Sequence, residues 1–181
     1  MERTDIPFEQ FAIRPVTAWE KGGLLLAAGD LSAGDWNCMT VGWGAFGRMW
    51  GRPMALVVVR PIRHTRSFMD RYETFTLSAF PEALRPALDY CGSHSGKDGN
   101  KIRESGLTPI ACREVAAPGF DEADLIIECR KMYSDDFEPK RFLADFIESN
   151  YPSRDYHRMY IGEILGVSGT SRFARETARE A

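Results

Sequence analysis

The chain has 181 residues, 44% of them hydrophobic and 27% charged, with a net charge of −3. That is the composition of one globular domain with a substantial core, here expected over residues 1–181. The acidic balance argues against a nucleic-acid surface, which needs concentrated basic charge. No apolar run approaches the ~20 residues of a membrane span, and the opening Met1-Glu2-Arg3-Thr4-Asp5 lacks a signal peptide's apolar stretch, so a cytoplasmic protein is expected. Cys38, Cys91, Cys112 and Cys129 are irregularly spaced with no CxxC, which points to reduced thiols and no metal site.

In chain order, Gly23-Leu24-Leu25-Leu26-Ala27-Ala28-Gly29 is an apolar run bounded by glycines and predicts a strand. Residues 37–46 read as a second, with Met39, Val41 and Trp43 alternating against Cys38, Thr40 and Gly42. Met54 to Val59 is continuously apolar between Pro53 and Pro61, the pattern of a strand buried on both faces. Pairing should stop at Pro61, which has no amide hydrogen. Thr65 is placed to cap a short helix over 66–72, with Phe68, Met69 and Tyr72 on its apolar side. Thr74 to Phe80 alternates Phe75, Leu77 and Ala79 with Thr74, Thr76 and Ser78, a strand with one polar or small face.

Pro81 opens a helix from Glu82 towards Tyr90 that Pro86 interrupts or restarts, followed by a glycine-rich loop over 91–100. A short helix over 101–105 stops at Gly106. Further strands are predicted over 107–115, 124–132 and 159–167, with 138–149 helical or irregular and 168–181 a frayed tail. Many strands with few long helices do not fit a doubly wound sheet. The expected class is mainly β with helical excursions, a predominantly antiparallel barrel.

Three segments could carry chemistry. Arg60-Pro61-Ile62-Arg63-His64-Thr65 sets two guanidiniums and a hydroxyl where a strand turns into a helix. A helix N-terminus favours anions, and guanidinium forks match a phosphate. The competing reading, that both arginines pair with surface carboxylates, is equally open from this segment alone. Gly92-Ser93-His94-Ser95-Gly96-Lys97 is no P-loop, because it has one residue too few between its glycines and Asp98 stands where Ser or Thr should bind magnesium. It is either a backbone nest for an anion or a solvated turn.

In Asn37 to Gly44, the bare Gly42 and Gly44 let a flat ligand approach the backbone. Asn37 and Thr40 offer hydrogen bonds, and Met39 and Trp43 apolar contact. A core strand with a glycine bulge is the other reading. There is no G-x-S-x-G and no nucleophile–base pair, and Asp135 and Asp136 read as a solvated turn. An enzyme built this way would carry its reactive atom on a cofactor.

Taken in order, residues 37–44, 60–65, 75–81, 91–98, 101–102, 106–109 and 155–163 resemble the flavin reductase-like family with the FMN-binding split-barrel fold, including its flavoredoxin-type members. The resemblance runs from about Leu24 to Val167. It implies a homodimer of split β-barrels, each binding one FMN non-covalently near the subunit interface. By the same resemblance, Asn37, Met39, Thr40, Val41, Gly42 and Trp43 would line the flavin ring and ribityl chain. Arg60, Arg63 and Thr65 would hold the phosphate, joined by Ser93, Ser95, Gly96 and Lys97. Ser78 and Phe80 would sit beside the flavin, and His157 would close the site.

The chain departs from the family pattern at Gly42, where serine or alanine is common, at His64 (often tyrosine), Lys97 (often arginine) and Asn100 (often aspartate). His64 beside a phosphate would make cofactor affinity depend on pH. The implied activity is an oxidoreductase taking hydride from NADH or NADPH and passing electrons to a flavin, a small molecule or a redox protein. A non-enzymatic FMN electron carrier is the alternative.

Overall fold

The computed structural model describes residues 2–20 and 23–175. Its elements are β1 (Thr4–Asp5), β2 (Leu24–Asp30), β3 (Asp35–Val41), β4 (Gly44–Met49), β5 (Arg52–Val59), α1 (Thr65–Arg71), β6 (Thr74–Ala79), α2 (Arg85–Ser93), α3 (Lys101–Ser105), β7 (Pro109–Ile110), β8 (Gly119–Phe120), β9 (Leu125–Asp136) and β10 (Arg158–Gly169). Short 3₁₀ turns lie at Glu82–Leu84, Pro139–Arg141, Asp145–Asn150 and Ser171–Phe173.

The main sheet is antiparallel, in the order β3-β2-β6-β9-β10-β5-β4, with β1 beside β10. Its two outermost strands, β3 and β4, are consecutive in the chain and joined only by Gly42 and Trp43. Three Cα steps separate Val41 from Gly44, so the two edges lie no more than about 11 Å apart. A seven-strand sheet whose ends are held that close must curl on itself. It is a split β-barrel, and the seam runs past Gly42 and Trp43.

The alternation of side chains supplies two cores from one sheet. Leu24, Leu26 and Ala28 of β2 point into the barrel with Met39, Val41, Val57, Val59, Phe75, Leu77, Ile127 and Tyr160, and Phe68 and Met69 of α1 plug that core. Leu25 and Ala27 point outward with Cys38 and Ile126, where Ala87 and Cys91 of α2, Leu107 and Phe120 cover them. This double cover explains why β2 is an unbroken apolar run.

Several expectations need correction. The strand read over 37–46 breaks at Gly42–Trp43, and β4 begins at Gly44, where a Cβ would stand 2.3 Å from the Leu56 carbonyl oxygen and 2.4 Å from the Trp19 ring. Gly44 is therefore bare to admit the protein's own chain. The β4–β5 hairpin was not anticipated; it turns at Trp50-Gly51, with φ of 51° and 74°. Thr65 does not cap α1: His64 precedes the helix, no side chain caps it, and Thr65 is its first residue. The strand expected over 107–115 shrinks to the two-residue β7.

Asp135 and Asp136 end β9 and are no free turn, since Arg158 binds Asp136 with both forks at 2.9 and 2.6 Å. The expected tail is partly structured, with Ser168 and Gly169 in β10, Phe173 buried and Ala174 bridged to Phe11. Residues 176–181 of that tail lie outside the described residues. Pro86 restarts the helix at Arg85 as expected, and α3 is capped by the Asn100 side chain on the Arg103 amide and ended by Gly106 at φ 73°.

Candidate functional site

At the seam, Met39, Thr40, Val41, Gly42, Trp43, Val58, Arg60 and His157 line an open cavity of about 170 Å³. Gly42 leaves it room: a Cβ there would meet only the Trp19 carbonyl, at 3.3 Å. Trp43 is 46% exposed, its ring centroid 5.0 Å from that of His157. His157 Nδ1 lies 2.9 Å from the Tyr151 hydroxyl, deep in an aromatic cluster with Phe137, Phe142 and Tyr156. Burial, and then the Arg60 charge, push the His157 pKa down to about 4, so the ring is neutral at pH 7.

Arg60 resolves one of the open readings. Its Nη1 donates to both oxygens of Asp155 at 2.9 and 2.8 Å, its Nη2 to the Asn150 carbonyl at 2.9 Å, and its guanidinium sits 5.2 Å from the Tyr151 ring centroid. The Arg60 hydrogen bond in turn holds the Asp155 carboxyl below its ordinary range. Arg60 is thus a neutralised ion pair on the cavity wall and not a free phosphate fork.

Arg63 is in the opposite position. Its Nη2 donates to the Gly92 carbonyl at 2.5 Å, at the end of α2. Lys101 is 5% exposed, with Nζ 3.3 Å from the Cys91 carbonyl and 3.4 Å from that of His94. Neither cation, nor Lys97, has a carboxylate in salt-bridge contact among the described residues. Burial lowers the pKa of Arg63, helped by Arg60, and burial likewise lowers that of Lys101. His64 is lowered by burial and then by Lys97, Lys101 and Arg71, with Asp98 opposing least, and its buried Nδ1 has no hydrogen-bond partner. Four basic groups therefore share a region that wants an anion.

The remaining predicted residues separate into three groups. Asn37, Thr65 and Gly96 meet: Asn37 Nδ2 donates to Thr65 Oγ1 at 2.9 Å, Thr65 Oγ1 donates to the Cys38 carbonyl at 3.0 Å, and a Cβ on Gly96 would fall 2.4 Å from Asn37 Oδ1. Thr65 is 1% exposed, and its hydroxyl is engaged by Asn37 and the Cys38 carbonyl. Ser93 and Ser95 line a second, polar cavity of about 150 Å³ with His94, Asp98, Lys101 and Glu104. Ser78 and Phe80 do not reach the seam. Ser78 pairs with Leu25 and Ile126, so it faces the outer core with an unpartnered Oγ, and Phe80 packs against Phe120 at 5.9 Å.

Sequence reasoning missed Lys101, Tyr151 and Asp155 as site residues. Lys101 had a local signal, as the first residue after the Asn100 cap. Asp155 had none pointing to Arg60, 95 residues earlier.

Residues 21–177 match the family model for the flavin reductase like domain. The chain belongs to that family. Solved structures share the fold. An FMN-binding domain of a flavin reductases-like enzyme from Shewanella baltica is 18% identical, with a TM-score of 0.65 over 94% of this chain and 78% of the other. Flavoredoxin of Desulfovibrio vulgaris is 23% identical, with a TM-score of 0.63 over 82% and 69% of the two chains. The 2-nitrobenzoate 2-nitroreductase of Pseudomonas fluorescens is 16% identical, with a TM-score of 0.62 over 82% and 64%. No curated protein matches the sequence. Among the described residues, no helix is long and apolar enough to cross a membrane, and no group of His, Cys, Asp or Glu is arranged to hold a metal ion.

Proposed function

We propose that the protein binds FMN non-covalently and acts as an oxidoreductase, taking hydride from NADH or NADPH and passing electrons to a flavin, a small molecule or a redox protein. The observation that carries this reading is the set of Arg63, His64, Lys97 and Lys101, none in salt-bridge contact with a carboxylate among the described residues: Arg63 holds the Gly92 carbonyl, Gly92 abuts Thr40 of the seam cavity, and Lys101 lines the second cavity. The residues fit the cofactor: the orphaned His64 Nδ1 and the unpaired cations suit a phosphate, and the bare Gly42 with Met39 and Trp43 suits a flat ring. Arg63, His64, Lys97 and Lys101, with Ser93 and Ser95, would hold the phosphate, and Met39 to Trp43 the ring. FMN when bound supplies the reversible two-electron chemistry that no side chain here provides.

The chain's own contribution is binding, shielding and one positioned proton. The Tyr151 hydroxyl lies 2.9 Å from His157 Nδ1 and is assigned as the donor to it. Assigned from this network, the neutral imidazole keeps its proton on Nε2, the nitrogen left for the cavity. His157 is then a hydrogen-bond donor to whatever occupies the site, with Trp43 excluding water above it. Trp43 and Ile62, 46% and 73% exposed within the site's own segments, would suit burial against a second copy of the chain, and we infer a homodimer. Four free thiols accord with the cytoplasm.

The likeness to flavoredoxin favours one second reading, an FMN electron carrier with negligible nicotinamide turnover. The test is the visible spectrum of FMN-loaded protein on anaerobic addition of NADH and then NADPH. Bleaching within seconds supports the reductase and names its donor; a spectrum that stays yellow supports the carrier.

A further inference from the structure

The polar cavity of about 150 Å³ is not basic throughout, and burial gives its lining a direction. Lys101 is buried at one end, with Nζ 3.3 Å from the Cys91 carbonyl and 3.4 Å from that of His94. Asp98, Gly99 and Glu104 are exposed and form the mouth. A cation therefore stands inside and two carboxylates stand at the entrance.

The Glu104 carboxylate is fixed from two sides. Its Oε2 accepts the Tyr90 hydroxyl, and the Tyr90 ring is stacked on His94, with centroids 3.8 Å apart and planes 14° from parallel. On the other side, a Cβ on Gly99 would stand 3.3 Å from Glu104 Oε1, so the bare glycine lets the carboxylate lie against the loop. The loop itself is turned at Asp98, whose amide donates to the Ser95 carbonyl at 3.1 Å. Neither acid is in salt-bridge contact with Lys101, or with any other cation among the described residues. Their charges are not matched within the fold, and an occupant of the cavity meets them.

We propose that Asp98 and Glu104 make this a site for a single phosphate and set a preference for FMN over FAD. The proposal rests on the phosphate reading above, with the ring at the seam and the phosphate beside Lys101. The two cavities meet at Gly92, which abuts Thr40 of the seam and is followed by Ser93 of the polar lining. A monophosphate reaching over Gly92 ends at Lys101. In FAD a second phosphate and the adenosine follow, and they must leave by the mouth, where the lining offers carboxylates. Juxtaposed like charges are costly, and a repulsive group set against the wrong ligand is an effective source of specificity.

The test is equilibrium binding of FMN, FAD and riboflavin to the full chain, with free flavin separated by ultrafiltration and read by its visible absorbance. FMN should bind at least about tenfold more tightly than FAD. Raising salt from about 20 to about 500 mM should narrow that ratio several-fold, because the mouth is exposed and its charges are screened. Glu104→Gln, which keeps an acceptor for Tyr90, should bring FAD closer to FMN by about three- to tenfold, and Asp98→Asn by less, with riboflavin unchanged in both. FAD bound as tightly as FMN would overturn the proposal and leave the phosphate reading standing. A ratio that salt leaves unchanged, or that neither substitution moves, would also overturn it, since bulk and not charge would then exclude FAD. FMN bound no more tightly than riboflavin would remove the phosphate reading and the proposal with it. The salt series needs only the wild-type protein, so it decides the matter even where a variant does not fold.

Discussion

The seam and the loop after α2 both gather basic side chains, and they differ in how those charges are met. At the seam, Arg60 is clasped by Asp155 and stacked near Tyr151, and Gly44 is wedged against Leu56 and Trp19. Around the loop, Arg63 is half-buried and Lys101 buried, with only carbonyl oxygens for partners, and His64 has a nitrogen with none. The lesson is that a cation's usefulness for binding is read from what it lacks. A guanidinium already matched by a carboxylate holds the fold; one matched by neutral oxygens is available to an anion.

Breaking the seam should therefore damage stability first. Gly44→Ala sets a Cβ against backbone and is expected to cost about 3 kcal/mol or more in urea unfolding. Gly42→Ala, facing only the Trp19 carbonyl at 3.3 Å, should cost less than about 1 kcal/mol. The sharpest contrast is between the two arginines. Arg63→Ala should weaken FMN by roughly 1.5–3 kcal/mol while leaving riboflavin nearly unchanged in a fluorescence titration. Arg60→Ala should lower the urea midpoint by stranding Asp155 and leave the FMN-to-riboflavin affinity ratio as it was.

Smaller effects follow from the two histidines. His157 is neutral in the fold with its pKa lowered to about 4, so protonation favours the unfolded chain. Its contribution to stability is complete above about pH 6.5 and is lost as pH falls from there towards 4. Allowing for solvent screening, unfolding free energies from urea titrations across that window should fall by about 1–2 kcal/mol more for the wild type than for His157→Gln. His64 is lowered by burial and by its basic neighbours. A bound phosphate would raise it again, so FMN should bind more tightly as pH is lowered, by less than about tenfold, and His64→Phe should flatten that dependence.

Much of this was legible locally. The strand β2 as an apolar run, the strand ending before Pro61, α3 with its Gly106 stop, and the ordered motifs of the family could all be read from short windows. What failed had non-local causes. Gly44 looks like an opening for a ligand until Trp19 and Leu56 are known to fill it. Thr65 looks like a cap until Asn37 and the Cys38 carbonyl claim its hydroxyl. The two arginines look equivalent until Asp155, far along the chain, singles out one of them. Ser78 faces the outer core under α2, a placement set by its register with Leu25 and Ile126 that no short window shows.

The measurement closest to the central claim is a parallel titration of the wild-type protein with FMN and with riboflavin, followed by flavin fluorescence. An unneutralised cation cluster predicts low-micromolar or tighter binding of FMN and at least tenfold weaker binding of riboflavin, which has the same ring and no phosphate. Equal affinity for the two, or no binding of FMN, would contradict it.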